Sequence, residues 1–231
     1  VFAGYTLNGQ HVDAGPDLAP YVQDALDEIE YVTGDANTKW GAERIRDGHP
    51  KPFPLKYIEV GNEDGFDKSG SYEARYVQFY DAIKAKYPQL QIIATVAGKD
   101  PIGQRYSVTQ RKPDAIDEHY YLSSKEMERE ANRFDSYDRN GPKVFVGEWA
   151  AFDDIAPWQQ GRSGGPTSSF KGALADAAWL AGMERNSDIV VMESYAPLLV
   201  NVNPGGRQWT VNLIGYDALS SFGSPSYYVQ C

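Results

Sequence analysis

Two kinds of hydrophobic pattern alternate along the chain and predict strands that are followed by helices. Six short apolar runs are predicted strands, at residues 1–4, 57–60, 90–96, 115–121, 143–147 and 189–195. Four longer amphipathic or alanine-rich segments are predicted helices, at residues 17–33, 71–87, 124–137 and 169–186. Residues 196–231 are predicted to be loop-like, with a helix that begins near Pro225.

This alternation of strand and helix implies βαβ units and an α/β fold with a parallel sheet. A doubly wound sheet and a barrel both fit the order of elements. Polar residues at the ends of several strands favour the (β/α)8 barrel, because its active site draws residues from the carboxyl ends of many strands. These residues are Asn62, Glu63, His119, Tyr121, Glu148, Trp149 and Glu193.

The number of strands predicts a partial barrel. A closed (β/α)8 TIM barrel needs eight strands, and six are predicted here. If residues 189–195 are the eighth strand, residues 1–4 are the third, and two strands are missing upstream. Residues 1–231 then form one partial catalytic barrel domain, in which Glu63 follows strand four and Glu148 follows strand seven.

Composition excludes several other classes of function. Apolar residues make up 42% of the 231 residues, which supports a substantial core, and the net charge of −10 argues against a nucleic-acid partner. No segment is long and apolar enough for a membrane span. The single cysteine, Cys231, and only three histidines, far apart in sequence, offer no recognisable metal site, so neither metal nor cofactor is expected.

Glu63 and Glu148 are the candidate catalytic residues, because glycoside hydrolysis needs two carboxyl groups that flank one bond. Asn62 precedes Glu63 and can bind a sugar hydroxyl beside the reacting carbon. Glu148 ends an apolar strand, where a carboxylate is costly unless it is paired or functional, and Trp149 can form a wall of a sugar site. The alternatives are a solvated loop acid for Glu63 and a structural ion pair for Glu148.

Four further polar residues have two interpretations each. His119 can orient a carboxylate and Tyr121 can hold the nucleophile, or both are satisfied core residues. Glu193 is expected to have a structural or subsite role. His11 is expected to be exposed to solvent, and for His49 exposure and substrate contact both stay open.

A serine-hydrolase motif is also present, but its context is wrong. Residues 161–165 read Gly-Arg-Ser-Gly-Gly, which matches the nucleophile elbow literally. No strand leads into this segment, so we interpret Ser163 as part of a flexible loop.

Eight ordered segments resemble one known family, at residues 39–41, 48–53, 57–64, 118–121, 141–148, 186–190, 194–198 and 223–228. The most specific are Tyr-Ile-Glu-Val-Gly-Asn-Glu-Asp from residue 57, Glu-His-Tyr-Tyr from residue 118 and Gly-Pro-Lys-Val-Phe-Val-Gly-Glu from residue 141. Over nearly its whole length the chain resembles the α-L-arabinofuranosidases of glycoside hydrolase family 51.

The resemblance implies a retaining mechanism on a (β/α)8 barrel and a division of roles. Glu63 corresponds to the general acid/base, and Glu148 to the nucleophile. Asn62 corresponds to the residue that contacts the arabinose 2-hydroxyl, and Tyr121 to the one that positions the nucleophile, with His119 in the same motif. Asn201 lies in the family's segment after the last strand, and no contact is assigned to it.

The implied activity is the exo-acting release of terminal arabinofuranosyl units from arabinan, arabinoxylan or arabino-oligosaccharides by double displacement. The alternatives are a related retaining endoglucanase or β-xylosidase, or an inactive sugar-binding fragment. Family members have more barrel upstream and many carry a β-sandwich, so we expect a fragment without that sandwich, poorly stable and at most weakly active. A secreted or periplasmic location and a homo-oligomeric full-length enzyme are further expectations of the resemblance.

Overall fold

The computed structural model describes residues 1–6, 8–95, 108–153, 156, 168–207 and 209–231. The segment around Ser163 lies outside these residues. The chain divides into two compact units, Val1–Asp117 and Glu118–Cys231, which are taken in turn.

The first unit contains three helices and a set of parallel strands. Its elements are α1 (Ala19–Thr33), α2 (Lys39–Arg46), β1 (Tyr57–Val60), α3 (Tyr72–Lys86), β2 (Gln91–Thr95) and the start of β3 (Ala115–Ser123). The strand order is β1–β2–β3, with both pairs parallel. The predictions for α1, β1, α3 and β2 are therefore confirmed to within two residues.

The core of this unit follows from the spacing of apolar residues. On α1 the buried residues Val22, Ala25 and Ile29 recur at intervals of three and four and so form one face. They share a cluster with residues of α3 and of both strands, including Tyr76, Phe79, Ile83, Ile58, Val60 and Ile92. This packing holds the carboxyl end of β1, where Glu63 follows.

Helix α2 was not evident from the hydrophobic pattern, because its buried residues are Gly41 and Arg44 rather than an apolar stripe. It is held by polar contacts instead. Thr38 caps its amino end by accepting a hydrogen bond from the Gly41 N–H. The buried Arg44 guanidinium donates to the carbonyls of Tyr31 and Gly34 at the end of α1, at 2.7 and 2.8 Å.

The expected strand at residues 1–4 is wrong as an element. Only its first residue makes ladder-type bonds: the Val1 amino group donates to the Glu59 carbonyl at 2.7 Å, and the Gly61 N–H donates to the Val1 carbonyl at 3.1 Å. The chain then turns at Gly4, whose φ of +84° suits glycine and where a Cβ would collide with Leu18. The assignment of residues 1–4 as the third strand of the barrel therefore has no strand to support it.

The second unit continues the pattern of strand and helix and adds a small sheet. Its elements are the rest of β3, α4 (Ser124–Arg129), β4 (Lys143–Phe152), α5 (Phe170–Arg185), β5 (Val190–Tyr195), β6 (Leu199–Asn201), β7 (Ile214–Tyr216), β8 (Ser221–Gly223) and α6 (Pro225–Val229). The main strands follow the order β3–β4–β5, and β4 and β5 are parallel. In the small sheet β6 pairs parallel with β7, which pairs antiparallel with β8.

Three predictions for this unit change in detail. The helix expected over residues 124–137 stops at Arg129 and is followed by a 3-10 turn at Arg133–Ser136. Strand β4 continues five residues beyond the expected end at Gly147, to Phe152. The segment expected to be loop-like contains β6–β8, while the helix expected near Pro225 is confirmed as α6. Within the described residues no helix has both the length and the apolar composition needed to cross a membrane.

Candidate active site

Glu63 directly follows β1 in an unusual backbone conformation. Its φ of 53° and ψ of 29° lie in the left-handed region, which costs a residue other than glycine about 1–2 kcal/mol. The Glu63 N–H donates to Thr95 Oγ1 at 3.1 Å, which ties this turn to the end of β2. Strain of this kind is kept where surrounding structure enforces it, and it is concentrated at functional sites.

A buried charge network supports the turn. Arg75 is fully buried and donates to the carboxylates of Asp67 at 2.9 Å and Asp64 at 3.4 Å. It also donates to the carbonyl of Ala3. Asp64 accepts from the Asn62 backbone N–H, and its carboxylate fills the space where a Cβ on Gly61 would lie, 2.6 Å away. Asn62 itself is exposed.

The two aspartates of this network have opposite pKa shifts. Burial raises the pKa of Asp64 to about 6, although Arg75 opposes the shift. For Asp67 burial also acts to raise the pKa, but hydrogen bonds from Ser69, Ser71 and Arg75 outweigh it and lower the pKa to about 2. Asp67 is thus the firmly ionised partner of Arg75.

In the second unit, Tyr121 and His119 on β3 approach Glu148 on β4. The Tyr121 hydroxyl donates to Glu148 Oε2 at 2.5 Å, and His119 Nδ1 lies 3.7 Å from the same oxygen. Residues two apart on a strand point to the same face, so both β3 side chains are aimed at one carboxylate. Glu148 lies inside β4 rather than at its end, which holds it more rigidly than a loop would.

The opposite face of β3 is locked by a buried polar cluster. Glu118 accepts from the hydroxyls of Tyr120 at 2.5 Å and Tyr137 at 3.0 Å, and Arg133 Nε donates to the Tyr120 hydroxyl at 2.9 Å. Burial, and next the charge of Glu118, raise the pKa of Tyr137 to about 12, so both tyrosines stay protonated donors. This cluster fixes the strand that presents His119 and Tyr121.

A cavity of about 560 Å³ opens beside Tyr121 and Glu148, within the range of volumes typical of small-molecule sites. Its remaining lining comes from the segment after β5 and from the small sheet: Ala196, Pro197, Leu199, Val200, Asn201, Gly206, Trp209, Val211 and Tyr216. The rings of Trp209 and Tyr121 meet edge to face, with centroids 5.1 Å apart and planes at 72°. Sequence reasoning missed Trp209 and Tyr216. The feature that could have revealed them is the presence of two aromatic residues in a segment that was predicted to be loop-like.

The structure gives Trp149 a different place from the sugar-site wall expected of it. Its side chain is fully buried, with 0% of its surface exposed, and it packs edge to face on Tyr195. Its indole Nε1 donates to Glu193 Oε2 at 2.6 Å. A buried indole offers no face to a ligand, so this pair joins β4 to β5. For Glu193, which was expected to have a structural or subsite role, this contact is a structural one.

The remaining residues singled out in the sequence make other contacts. His11 is exposed, as expected, with Nε2 3.3 Å from Asp13. His49 is also exposed and packs its ring on Phe53. Asn201 accepts from the backbone and side-chain N–H groups of Asn203 at 3.0 and 2.9 Å, and so shapes the turn after β6.

Comparison with known families identifies the class of protein. A family model described as "Alpha-L-arabinofuranosidase 1 domain" matches residues 1–139, and one described as "Alpha-L-arabinofuranosidase C-terminal domain" matches residues 147–231. The chain belongs to the α-L-arabinofuranosidases of glycoside hydrolase family 51, as the sequence motifs predicted.

Curated relatives agree with this assignment. Alpha-L-arabinofuranosidase 2 of Arabidopsis thaliana is 40% identical over 214 residues, which are 92% of this chain and 29% of that protein. Alpha-L-arabinofuranosidase A of Aspergillus kawachii is 37% identical over 100% of this chain and 35% of its own length. The extracellular exo-alpha-L-arabinofuranosidase of Streptomyces chartreusis is 38% identical over 92% of this chain and 24% of its own length. The chain therefore spans about a quarter to a third of these relatives.

Solved structures share the α/β fold. The arabinose-bound α-L-arabinofuranosidase MgGH51 has a TM-score of 0.86 and 40% identity, over 99% of this chain and 35% of its own. The α-L-arabinofuranosidase from Thermotoga maritima, an arabinose complex, has a TM-score of 0.64 and 20% identity over 95% of this chain and 47% of its own. At that identity the second likeness is evidence for the fold alone.

Proposed function

We propose that the chain carries catalytic residues of a retaining, exo-acting α-L-arabinofuranosidase, with Glu148 as nucleophile and Glu63 as general acid/base. The observation that carries the proposal is the hydrogen bond from Tyr121 to Glu148 beside a sugar-sized cavity, in a chain of this family. Charge-assisted bonds of this kind orient a carboxylate strongly.

In the first step of the proposed reaction, Glu148 attacks the anomeric carbon of a terminal arabinofuranosyl unit. Because Oε2 is held by Tyr121, attack is assigned to Oε1. The bond to the glycosidic oxygen breaks, and Glu63 transfers its proton to that oxygen. The products are the free leaving sugar and an arabinosyl ester of Glu148.

In the second step, water attacks the same carbon and Glu63 takes the water's proton. The ester bond breaks and Glu148 returns as a carboxylate, so that the two inversions retain the configuration. Asn62 is assigned a contact with the 2-hydroxyl of the arabinofuranosyl unit. His119, whose Nδ1 lies 3.7 Å from Glu148 Oε2, is assigned a role in orienting the Glu148 carboxylate. Retaining chemistry requires the two carboxyl groups to lie about 5–5.5 Å apart.

The proposed substrates are arabinan, arabinoxylan and arabino-oligosaccharides, cleaved at terminal units. The names of the relatives support this class, and the name of the extracellular exo-acting Streptomyces chartreusis protein supports both exo action and a secreted or periplasmic location. The full-length enzyme is further proposed to be a homo-oligomer.

The proposal extends to the fold. We assign β1–β5 to strands four to eight of a (β/α)8 barrel, and residues 1–231 to a partial catalytic domain. The small sheet β6–β8 follows directly from β5, which supports an excursion from the barrel rather than a piece of a β-sandwich.

The test compares hydrolysis of 4-nitrophenyl α-L-arabinofuranoside with that of the β-xyloside and the cellobioside. We expect cleavage of the arabinofuranoside with retention, seen by NMR of the first product, and its loss in Glu148→Gln. Preferred cleavage of the xyloside or cellobioside would support the related glycosidases instead. Arabinan binding without turnover would support the sugar-binding fragment.

Glu63→Ala tests the second carboxylate. We expect azide to restore its activity on the 4-nitrophenyl substrate, since that leaving group needs little protonation and azide needs no general base. A β-configured arabinosyl azide product would disprove the assignment, because a retaining route through Glu148 yields the α-azide.

A further inference from the structure

The small sheet turns an apolar face toward the cavity. Asn201 lies opposite Tyr216 and Leu199 opposite Ile214, so alternation places these four residues on one face. Leu199 and Tyr216 line the cavity with 55% and 39% of their surface exposed. Large apolar side chains left exposed in a cavity wall indicate a binding surface.

The residues of β6 and β7 that alternate with these four are buried. Val200, which also borders the cavity, and Gly215 are both buried, and the half-exposed Phe222 ring comes within 2.4 Å of where a Cβ on Gly215 would be. Leu199 and Tyr216 are therefore the large exposed side chains that these two strands present in the cavity wall.

Trp209 links this face to the candidate nucleophile. Its ring meets the Tyr121 ring edge to face, and the Tyr121 hydroxyl is bonded to Glu148. The sugar unit that reacts must sit at Glu148 itself, so Trp209 is placed one aromatic ring further along the cavity. Glu148 is the one charged side chain in the cavity's described lining, which favours a neutral occupant.

We propose that Trp209, Tyr216 and Leu199 form a platform for the neutral sugar unit that leaves, an inference that rests on the proposed function. A pyranose or furanose ring has an apolar C–H face that packs on aromatic and aliphatic side chains, while its hydroxyls stay at the edge. A cavity of about 560 Å³ exceeds the needs of one pentose and has room for this second unit. The platform therefore selects the leaving sugar rather than the arabinofuranosyl group.

The experiment measures kcat/KM for an α-1,5-linked arabinobiose and for methyl α-L-arabinofuranoside, whose leaving group is too small to cover the platform. In Trp209→Ala we expect the loss with arabinobiose to exceed the loss with the methyl glycoside by about tenfold, as for removal of an aromatic anchor. Trp209→Phe keeps a stacking face and should recover most of the difference. Tyr228→Ala, an exposed aromatic outside the cavity lining, is the matched control.

Equal losses on both substrates would overturn the platform, because they would mean that Trp209 acts through Tyr121 and Glu148. No loss with arabinobiose would overturn it as well. If Trp209→Ala does not fold, Tyr216→Ala is judged by the same comparison.

A failure of the proposed function can be separated from a failure of the platform. If the wild-type chain cleaves neither substrate, arabinotriose binding is measured by titration calorimetry for Glu148→Gln and for Glu148→Gln with Trp209→Ala. About tenfold weaker binding by the double variant supports the platform, and equal or absent binding overturns it.

Discussion

The Tyr121 hydroxyl is bonded to Glu148 Oε2 at 2.5 Å, between side chains of the neighbouring strands β3 and β4. Each of the two residues is fixed by the strand that carries it. Tyr121 shares its strand with the buried Glu118–Tyr120 pair, and Glu148 lies in a ten-residue strand. The carboxylate's orientation is thus set by elements of secondary structure, which hold a reacting group more accurately than loops do.

Tyr121→Phe tests this bond directly. Removing a hydrogen bond to a charged group costs about 1.5–3 kcal/mol, and the carboxylate is then no longer oriented for attack, so kcat/KM for 4-nitrophenyl α-L-arabinofuranoside should fall about 10- to 100-fold. Tyr228→Phe, which alters an exposed hydroxyl in α6, is the control and should match the wild type. Full activity in Tyr121→Phe would contradict the positioning role.

Because the backbone of Glu63 is left-handed, glycine should be the more stable replacement at this position and alanine the less stable one, the reverse of the usual order. Alanine at φ 53° keeps the steric cost of this region, whereas glycine removes it. Glu63→Gly should therefore be more stable than Glu63→Ala by about 1 kcal/mol in urea unfolding, although both lose the acid/base group. Greater stability of the alanine variant would show that the turn is not strained.

Arg75→Met should be strongly destabilising. It leaves the buried carboxylates of Asp64 and Asp67 and the Ala3 carbonyl without their cation, and breaking a buried pair costs about 3–5 kcal/mol. Arg111→Met, which breaks an exposed pair with Asp81, is the control and should change the free energy of unfolding far less. Similar losses in both variants would rule out a special role for the buried network.

The pH dependence of stability should contain a contribution from Asp176. Burial raises its pKa from 3.8 to about 6, and hydrogen bonds offset this in part. Its Oδ1 accepts from the Ala151 N–H at 2.9 Å, and the side chains of Ser226 and Tyr195 also act to lower its pKa. The folded state thus binds the proton more tightly than the unfolded state.

This difference in proton binding makes the folded state less stable as the pH rises. Stability from this group is fully present below about pH 4 and is lost as pH rises through 6, by on the order of 2–3 kcal/mol. Asp176→Asn keeps an acceptor for Ala151 and should reduce the fall in stability between pH 4 and 7 in urea unfolding, leaving the part that the raised pKa of Asp64 contributes. Glu128→Gln, an exposed acid on α4, should leave the fall in place, and an equal fall in Asp176→Asn would refute the assignment.

Local patterns predicted most of the regular elements, and their failures have physical reasons. Helix α2 buries Gly41 and Arg44 and is held by caps and carbonyl contacts, so it lacks the apolar stripe on which prediction depends. Strands β6–β8 have three residues each, too few to establish a period of two. Val1 makes ladder bonds to residues flanking Val60, but the turn at Gly4 prevents a strand.

The sequence alone determined the alternation of strands and helices, the family, and the two candidate carboxylates, because these depend on residue type and spacing along the chain. Only the tertiary structure decided that Tyr121 reaches Glu148, that Trp149 is buried against Glu193, and that Trp209 and Tyr216 line a cavity. Those contacts join residues 27 to 95 positions apart or depend on which face of a strand is covered. A one-dimensional pattern carries neither distance nor burial, so the packing of separate elements had to supply both.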